Sequence, residues 1–358
     1  MENVKIWLIA DTHFGLKGDD EIWLEDSFNY FNNDLIPYMK KNVGENDILI
    51  HCGDVFDNRS TIGLHTITKT ILLFEDLSKI FGDIRIVVGN HDIFKKSTTD
   101  ITALHALKHI PNVKVYFKPV IETICGKSCL FNPWVEDFDE ERDLLNNVDV
   151  DYVFGHLQIG GSKTSDRGHG IIDTTNGVKK SDFKNAQVYA GHIHIKQDMK
   201  NIHYVGNPYH KDQGDIGNSK GITILEIETG KTVFIENKTS PKFIKDSLYD
   251  IINLTIGDLK ERWKNNRVEL YMKGTDIVRC NFDEMRNCLN KYYKSLDTIG
   301  DNTKIEELDT EMCDADFKDA KTSGDYMNDF LNQQDLEPNF RVKVDKALNE
   351  IGFNYDKV

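Results

Sequence analysis

The sequence predicts an α/β (α+β) fold: a two-layered sheet core flanked by helices, with a smaller module and a helical tail behind it. Three observations predict it. Short apolar runs alternate with helical patterns over residues 1 to about 235. Five of those runs end in Asp, Asn or His, most of them after a Gly. After Gly191 the pattern turns to strands, and a shorter mixed pattern follows beyond residue 240.

The elements follow in order. Residues 6–10, Ile-Trp-Leu-Ile-Ala, read as a buried strand and run into Asp11-Thr12-His13. Residues 26–41 read as a helix, with Phe28, Phe31, Leu35 and Met39 at helical spacing and Pro37 predicting a kink. The strand at 48–50 is closed by Gly53-Asp54, and residues 64–80 form a second helix. A strand at 84–88 ends in Gly89-Asn90-His91-Asp92, and 98–109 reads as a third helix. Cys125 and Cys129 flank Gly126-Lys127, a hairpin turn. Strands at 152–154 and 188–190 end in Gly155-His156 and Gly191-His192-Ile193-His194. Strands at 203–205, 221–227 and 231–236 follow, the last two joined by a hairpin at Glu228-Thr229-Gly230.

The second module spans 241–296: an extended stretch at 243–254, a short helix at 258–265, a strand at 267–272 and a helix at 283–293. Residues 297–323 are poor in apolar side chains and read as an acidic linker. The tail at 324–358 recovers amphipathicity. Tyr326, Met327, Phe330 and Leu331 share one face, and beyond Pro338 so do Phe340, Val344, Leu348 and Ile351.

Composition bounds the function. With 358 residues, 39% hydrophobic and 29% charged, the chain is a globular protein of two or three modules. Its net charge of −15 argues against an all-purpose basic DNA binder without excluding nucleic acid. The N-terminal apolar run is too short for a signal or membrane segment, so a cytoplasmic protein with no membrane association is expected. Six cysteines without a CxxC pair suit a reduced chain. Gly126-Lys127-Ser128 echoes the end of a P-loop, but position 121 is Ile, so any ATP chemistry belongs to a partner.

The strand ends carry the chemistry. Asp-x-His on an extended segment points both side chains to one side, and so does His192-x-His194. Taken singly, each residue is a strand-end His or a turn. Together Asp11, His13, Asp54, Asn90, His156, His192 and His194 offer carboxylate, imidazole and one amide oxygen. That donor set suits manganese, iron or zinc, with Asp54 placed to bridge two ions.

In this order Asp-x-His, Gly-Asp, Gly-Asn-His-Asp, Gly-His and Gly-His-x-His resemble the calcineurin-like metallophosphoesterases. The details are most similar to the SbcD branch, nuclease subunits of SbcC–SbcD complexes. Asp-Thr-His-Phe-Gly resembles that branch's first motif with Phe14 in place of Leu, Gly-Asp-Val-Phe-Asp its second, and Tyr204-Val205-Gly206-Asn207-Pro208 the turn after its last ligands. Overall size and the His169-Gly170 loop are closest to phage recombination nuclease subunits.

The resemblance implies a two-sheet metallophosphoesterase sandwich at 1–240, a DNA-capping domain at 241–296 and ATPase-binding helices in the tail. It implies two manganese ions, with magnesium, iron or zinc as substitutes. Asp11, His13, Asp54 and His194 would hold one; Asp54, Asn90, His156 and His192 the other. His91 would face the scissile phosphate as acid or charge stabiliser. Asp57 either orients His91 through a carboxylate–imidazole hydrogen bond, favouring the imidazolium, or caps its own loop. The implied activity is double-strand exonuclease and single-strand endonuclease on DNA. The implied partners are DNA, an SbcC-like coiled-coil ATPase and a second copy of the chain. The alternatives are a phosphatase or nucleotide phosphodiesterase of the same superfamily, or a non-catalytic scaffold at DNA ends.

Overall fold

A computed structural model describes residues 4–95, 98–164, 172–173, 177–251, 253–272 and 282–300. The tail at 324–358, most of the linker and the His169-Gly170 loop lie outside these residues.

Two six-stranded sheets form the larger module. The first runs Lys231–Glu236, Gly221–Glu226, Lys5–Ile9, Ile48–His51, Asp83–Val87, Val113–Tyr116; its last four strands are parallel. The second runs Gln197–Met199, Ile202–Tyr204, Gln187–Gly191, Tyr152–His156, Lys127–Asn132, Val120–Ile124. Alternation along each strand sorts the layers. Ile6, Leu8 and Ala10 face the space between the sheets with Ile50, Phe131, Phe154 and Tyr189. Trp7, Ile9 and Leu49 point the other way, under a helical layer that supplies Phe28, Phe31, Met39 and Phe74. Leu130, Val153 and Val188 back onto Leu145 of the Phe138–Asn147 helix. Burying both faces of the parallel strands leaves their C-terminal edges as the place where side chains can meet.

Three elements differ from expectation. The first helical segment runs without a break from Glu21–Tyr30 through a π-turn at Phe31–Leu35 into Ile36–Asn42. Ile36 N bonds Phe31 O, five residues back, so the ladder widens just before Pro37 and absorbs its missing N–H. Residues 98–109 are not a helix. Thr98–Thr102 is a strand paired with Ile93–Lys95, followed by 3₁₀ turns at Ala103–His105 and Leu107–His109. The β-branched run Thr-Thr-Asp-Ile-Thr favours the hairpin. The extended stretch expected at 243–254 is a strand only over Phe243–Ser247 and then turns into the short helix Leu248–Ile251.

The smaller module is a parallel three-stranded sheet, Phe243–Ser247, Arg267–Met272, Ser295–Gly300. Residues 297–300, assigned to the linker on composition, complete its third strand because Thr298 and Ile299 extend the pairing with Leu270 and Tyr271. The helix Ile256–Trp263, capped reciprocally by Thr255 and Asp258, packs Leu259 and Trp263 on Val268, Leu270 and Leu289. Arg267 fastens this module to the larger one. Its guanidinium lies 3.7 Å from the Trp23 ring centroid and 2.6 Å from Asp26 Oδ2.

Candidate metal centre

The loops that leave the first two strands run on side by side. Asp11 N bonds Gly53 O, His13 N bonds Asp54 O and Phe14 N bonds Val55 O, at 3.0, 3.1 and 2.8 Å. This zipper brings Asp11, His13 and Asp54 to one edge with left-handed backbone at each, φ 54°, 44° and 55°. His192 is left-handed too, at φ 90°. The glycines before the donors are sterically required. A Cβ on Gly89 would sit 2.2 Å from Asp54 N, and one on Gly53 would sit 2.4 Å from His156 Nδ1.

All seven predicted donors meet here. Asp11, His13 and His194 offer donor atoms within 4.8 Å of one another, as do Asp11, Asp54 and His156. Nε2 of His13 and Nε2 of His194 are 3.2 Å apart. Asn90 Oδ1 is 2.9 Å from both His156 Nε2 and His192 Nδ1, and Asp54 Oδ2 is 3.3 Å from the same His156 nitrogen. His156 Nδ1 donates to Cys52 O at 2.9 Å, which turns Nε2 onto a carboxylate and an amide oxygen. A group of acceptors facing one another calls for positive charge between them. That demand appears in the electrostatics of these side chains. Burial would lower the His156 imidazole, yet the Asp54 and Asp11 carboxylates push it up to about 9. Burial opposes ionisation of Asp54 as well, but the imidazoles of His156, His13 and His91 hold it well below the usual carboxylate range. Burial raises Asp11 to about 7. Burial, reinforced by the Lys211 ammonium, keeps His13 and His194 well below the ordinary imidazole value, so both rings are neutral. Neutral imidazoles beside buried carboxylates and one amide fit divalent cations.

His91 comes to the same edge, with a ring nitrogen within 4.8 Å of donor atoms of His13 and Asp54. Its backbone N donates to Asp54 Oδ1 at 2.7 Å, and its Nδ1 lies 2.6 Å from the carbonyl oxygen of Asp57. The expected contact of the Asp57 carboxylate with His91 is absent. Phe56 bridges to Phe14 and Asp57 N bonds Phe14 O, so the chain runs beside residue 13. The Asp57 carboxylate therefore lies 3.1 Å from His13 Nδ1, and it is the peptide carbonyl that orients His91.

Two neighbours carry no sequence motif. Trp134 follows the strand Lys127–Asn132, which ends at the same edge as Tyr152–His156; its ring lies 5.0 Å from His192 and 6.1 Å from His156. It also lines a cavity of about 970 Å³ walled by Asp100, Lys118, Glu136, Asp137 and Arg142 rather than by the converging donors. Lys211, buried, places Nζ 3.3 Å from His194 Nε2. Among the described residues Cys52, Cys125, Cys129 and Cys288 are free thiols, and no helix is long and apolar enough to cross a membrane.

A family model for the calcineurin-like phosphoesterases matches residues 4–196. The chain is 29% identical over 246 residues to exonuclease subunit 1 of Enterobacteria phage T4, covering 66% of this chain and 69% of that one. It is 25% identical over 264 residues to the SbcD subunit of the SbcCD nuclease of Staphylococcus epidermidis, covering 64% and 67%. With its two-sheet core and a cation-demanding centre at the sheet edge, this chain belongs to the calcineurin-like phosphoesterase family.

Proposed function

We propose that the chain is a DNA nuclease, the phosphodiester-cleaving subunit of an SbcC–SbcD-like complex in the cytoplasm, the host's if the chain is phage-encoded. The observation that carries this reading is the position of Asp54, whose carboxylate lies against His13 and His156 from two other strand ends and accepts the backbone N–H of His91, whose ring is held by a carbonyl. Relatives named as an exonuclease subunit and a nuclease subunit support DNA as the substrate.

Asp11, His13, Asp54 and His194 would hold one manganese, and Asp54, Asn90, His156 and His192 the other. When bound, the two ions supply Lewis acidity and an activated water for attack at phosphorus. The rest falls to the chain. Neutral His13 and His194 present lone pairs. Asp57 orients His91 through its carbonyl, and its carboxylate lies 3.1 Å from His13 Nδ1. With Nδ1–H of His91 occupied by that carbonyl, it is Nε2–H of the imidazolium form that would give a proton to the leaving oxygen. Residues 241–300 would cap the DNA, a second copy of the chain would pair with this one, and the tail at 324–358 would dock on a coiled-coil ATPase.

The test is manganese-dependent digestion of linear duplex and single-stranded DNA, with a phosphomonoester alongside. The wild-type chain should cleave DNA in preference to the monoester. Asp54→Ala, and Asp54→Asn as the variant that best tolerates the local backbone, should lose manganese and cleavage together. Normal digestion by either variant would remove Asp54 from the centre.

A further inference from the structure

Lys211 is the cation nearest the converging donors, and its surroundings do not explain it. It is 9% exposed, and its Nζ reaches an imidazole nitrogen, His194 Nε2, at 3.3 Å. Among the described residues no carboxylate forms an ion pair with it. The other buried lysine nearby, Lys220, differs. It pairs with Asp215 and donates to Asn207 Oδ1 and, at 2.8 Å, to His194 O, which satisfies it completely and makes it a brace for the loop. Burying an ammonium without a paired anion is costly, so such a group normally answers to something that arrives.

The loop that carries Lys211 is fixed on both sides. Tyr209 donates its hydroxyl to Thr12 O, between Asp11 and His13. His210 Nδ1 accepts from Phe243 N at 3.2 Å, at the start of the smaller module. Lys211 N donates to Asp215 Oδ2 at 2.8 Å. The loop is therefore held in place before any substrate binds, which sets the ammonium's stem beside the centre.

We propose that Lys211 is a further catalytic residue of this centre, binding a non-bridging oxygen of the scissile phosphate. It would supply, from the protein itself, a positive charge facing that oxygen. The inference rests on the two-ion reading of the site. One charge on the phosphate side complements the ions: they would neutralise the donor carboxylates, and the ammonium would meet the charge that grows on the equatorial oxygens.

The test uses the full chain loaded with manganese and inorganic phosphate as the probe, read by titration calorimetry and by metal analysis. Lys211→Met should keep its manganese and bind phosphate roughly 10- to 100-fold more weakly, the range for losing a charge-assisted hydrogen bond. Lys211→Arg should recover part of that affinity, and it serves as the folded control if the Met variant does not fold. In digestion assays the loss should fall on kcat more than on KM. The inference is overturned if phosphate affinity is unchanged in Lys211→Met, or in Lys211→Gln where the Met variant fails to fold. It is overturned equally if manganese binds more tightly while phosphate binding stays the same, because Lys211 would then only fill cation space. A wild-type chain that takes up no manganese would instead bring down the two-ion reading itself, a result separable from either of these.

Discussion

At the scale of single residues, the donors were legible because each closes a strand, and chain geometry then forces them together. The glycines before them record the same fact, since a Cβ at Gly89 would strike Asp54. What spacing could not tell was which imidazole the Asp57 carboxylate faces. That depends on the Phe14–Phe56 bridge, a long-range contact with no local signature. Trp134 and Lys211 were missed for a similar reason: each lies in a loop that comes to the centre only through the sheet order. The position of the Lys127–Asn132 strand beside Tyr152–His156 is the one signal that could have pointed to Trp134. For His91, the contacts to Asp54 Oδ1 through its backbone and to Asp57 O through its ring predict a role in proton transfer and not in metal binding. His91→Gln should reduce turnover by about 10²–10⁴ and leave manganese content unchanged. Loss of an ion from that variant, seen by elemental analysis, would make His91 a ligand instead.

At the scale of elements, strands were read better than helices. The five site-bearing strands are where the apolar runs place them, because burial on both faces leaves a continuous apolar signature. Residues 98–109 misled because their apolar spacing also suits a helix, and only pairing with Ile93–Lys95 decides the matter. The helix Phe138–Asn147 carries a consequence for pH. Glu141 is buried and accepts from Asn132 Nδ2 at 2.6 Å. Burial pushes its carboxyl up to about 8, against the pull of that amide. Its ordinary value is near 4.5, so between about pH 4.5 and 8 the unfolded chain has released a proton that the native chain still holds. Stability therefore falls as pH rises through that window and levels off above it. Glu141→Gln removes the penalty and should raise Tm relative to wild type more at pH 8 than at pH 5. Equal shifts at the two pH values would contradict this. Arg267 makes the other element-scale prediction. Its side chain is 5% exposed, paired with Asp26 and stacked on Trp23. Arg267→Ala should cost about 3–5 kcal/mol, as expected for one partner of a buried pair. The loss should appear as faster amide exchange across residues 243–272, while the Tyr152–His156 strand stays protected. Uniform exchange in both modules would show that Arg267 does not hold them together.

At the scale of the whole molecule, charge and chain organisation point to dependence on a partner. A net charge of −15 opposes long-range attraction of DNA, so the isolated chain should bind it weakly and more weakly still as salt rises. Lys294, a basic residue of the smaller module, is paired with Asp26 at 2.9 Å, which offsets part of its charge. Grip would then come from the proposed ATPase partner. Removing residues 321–358 should leave manganese binding and basal digestion intact while abolishing association with the ATPase and any stimulation by ATP. A truncated chain that still copurifies with the ATPase at full strength would refute the assignment of the tail, and so would one that no longer folds.

The left-handed backbone at Asp11, His13, Asp54 and His192 narrows what mutation can do to this enzyme. Among residues other than glycine, that conformation is tolerated best by Asn, Asp and His. These are also the side chains that offer oxygen or imidazole to a hard or borderline cation. Shape and chemistry thus select the same short alphabet at four positions. A lineage drifting away from catalysis would pass first through exchanges within that alphabet, keeping its architecture long after its activity had gone. A family member that has lost its nuclease would look, in outline, almost unchanged.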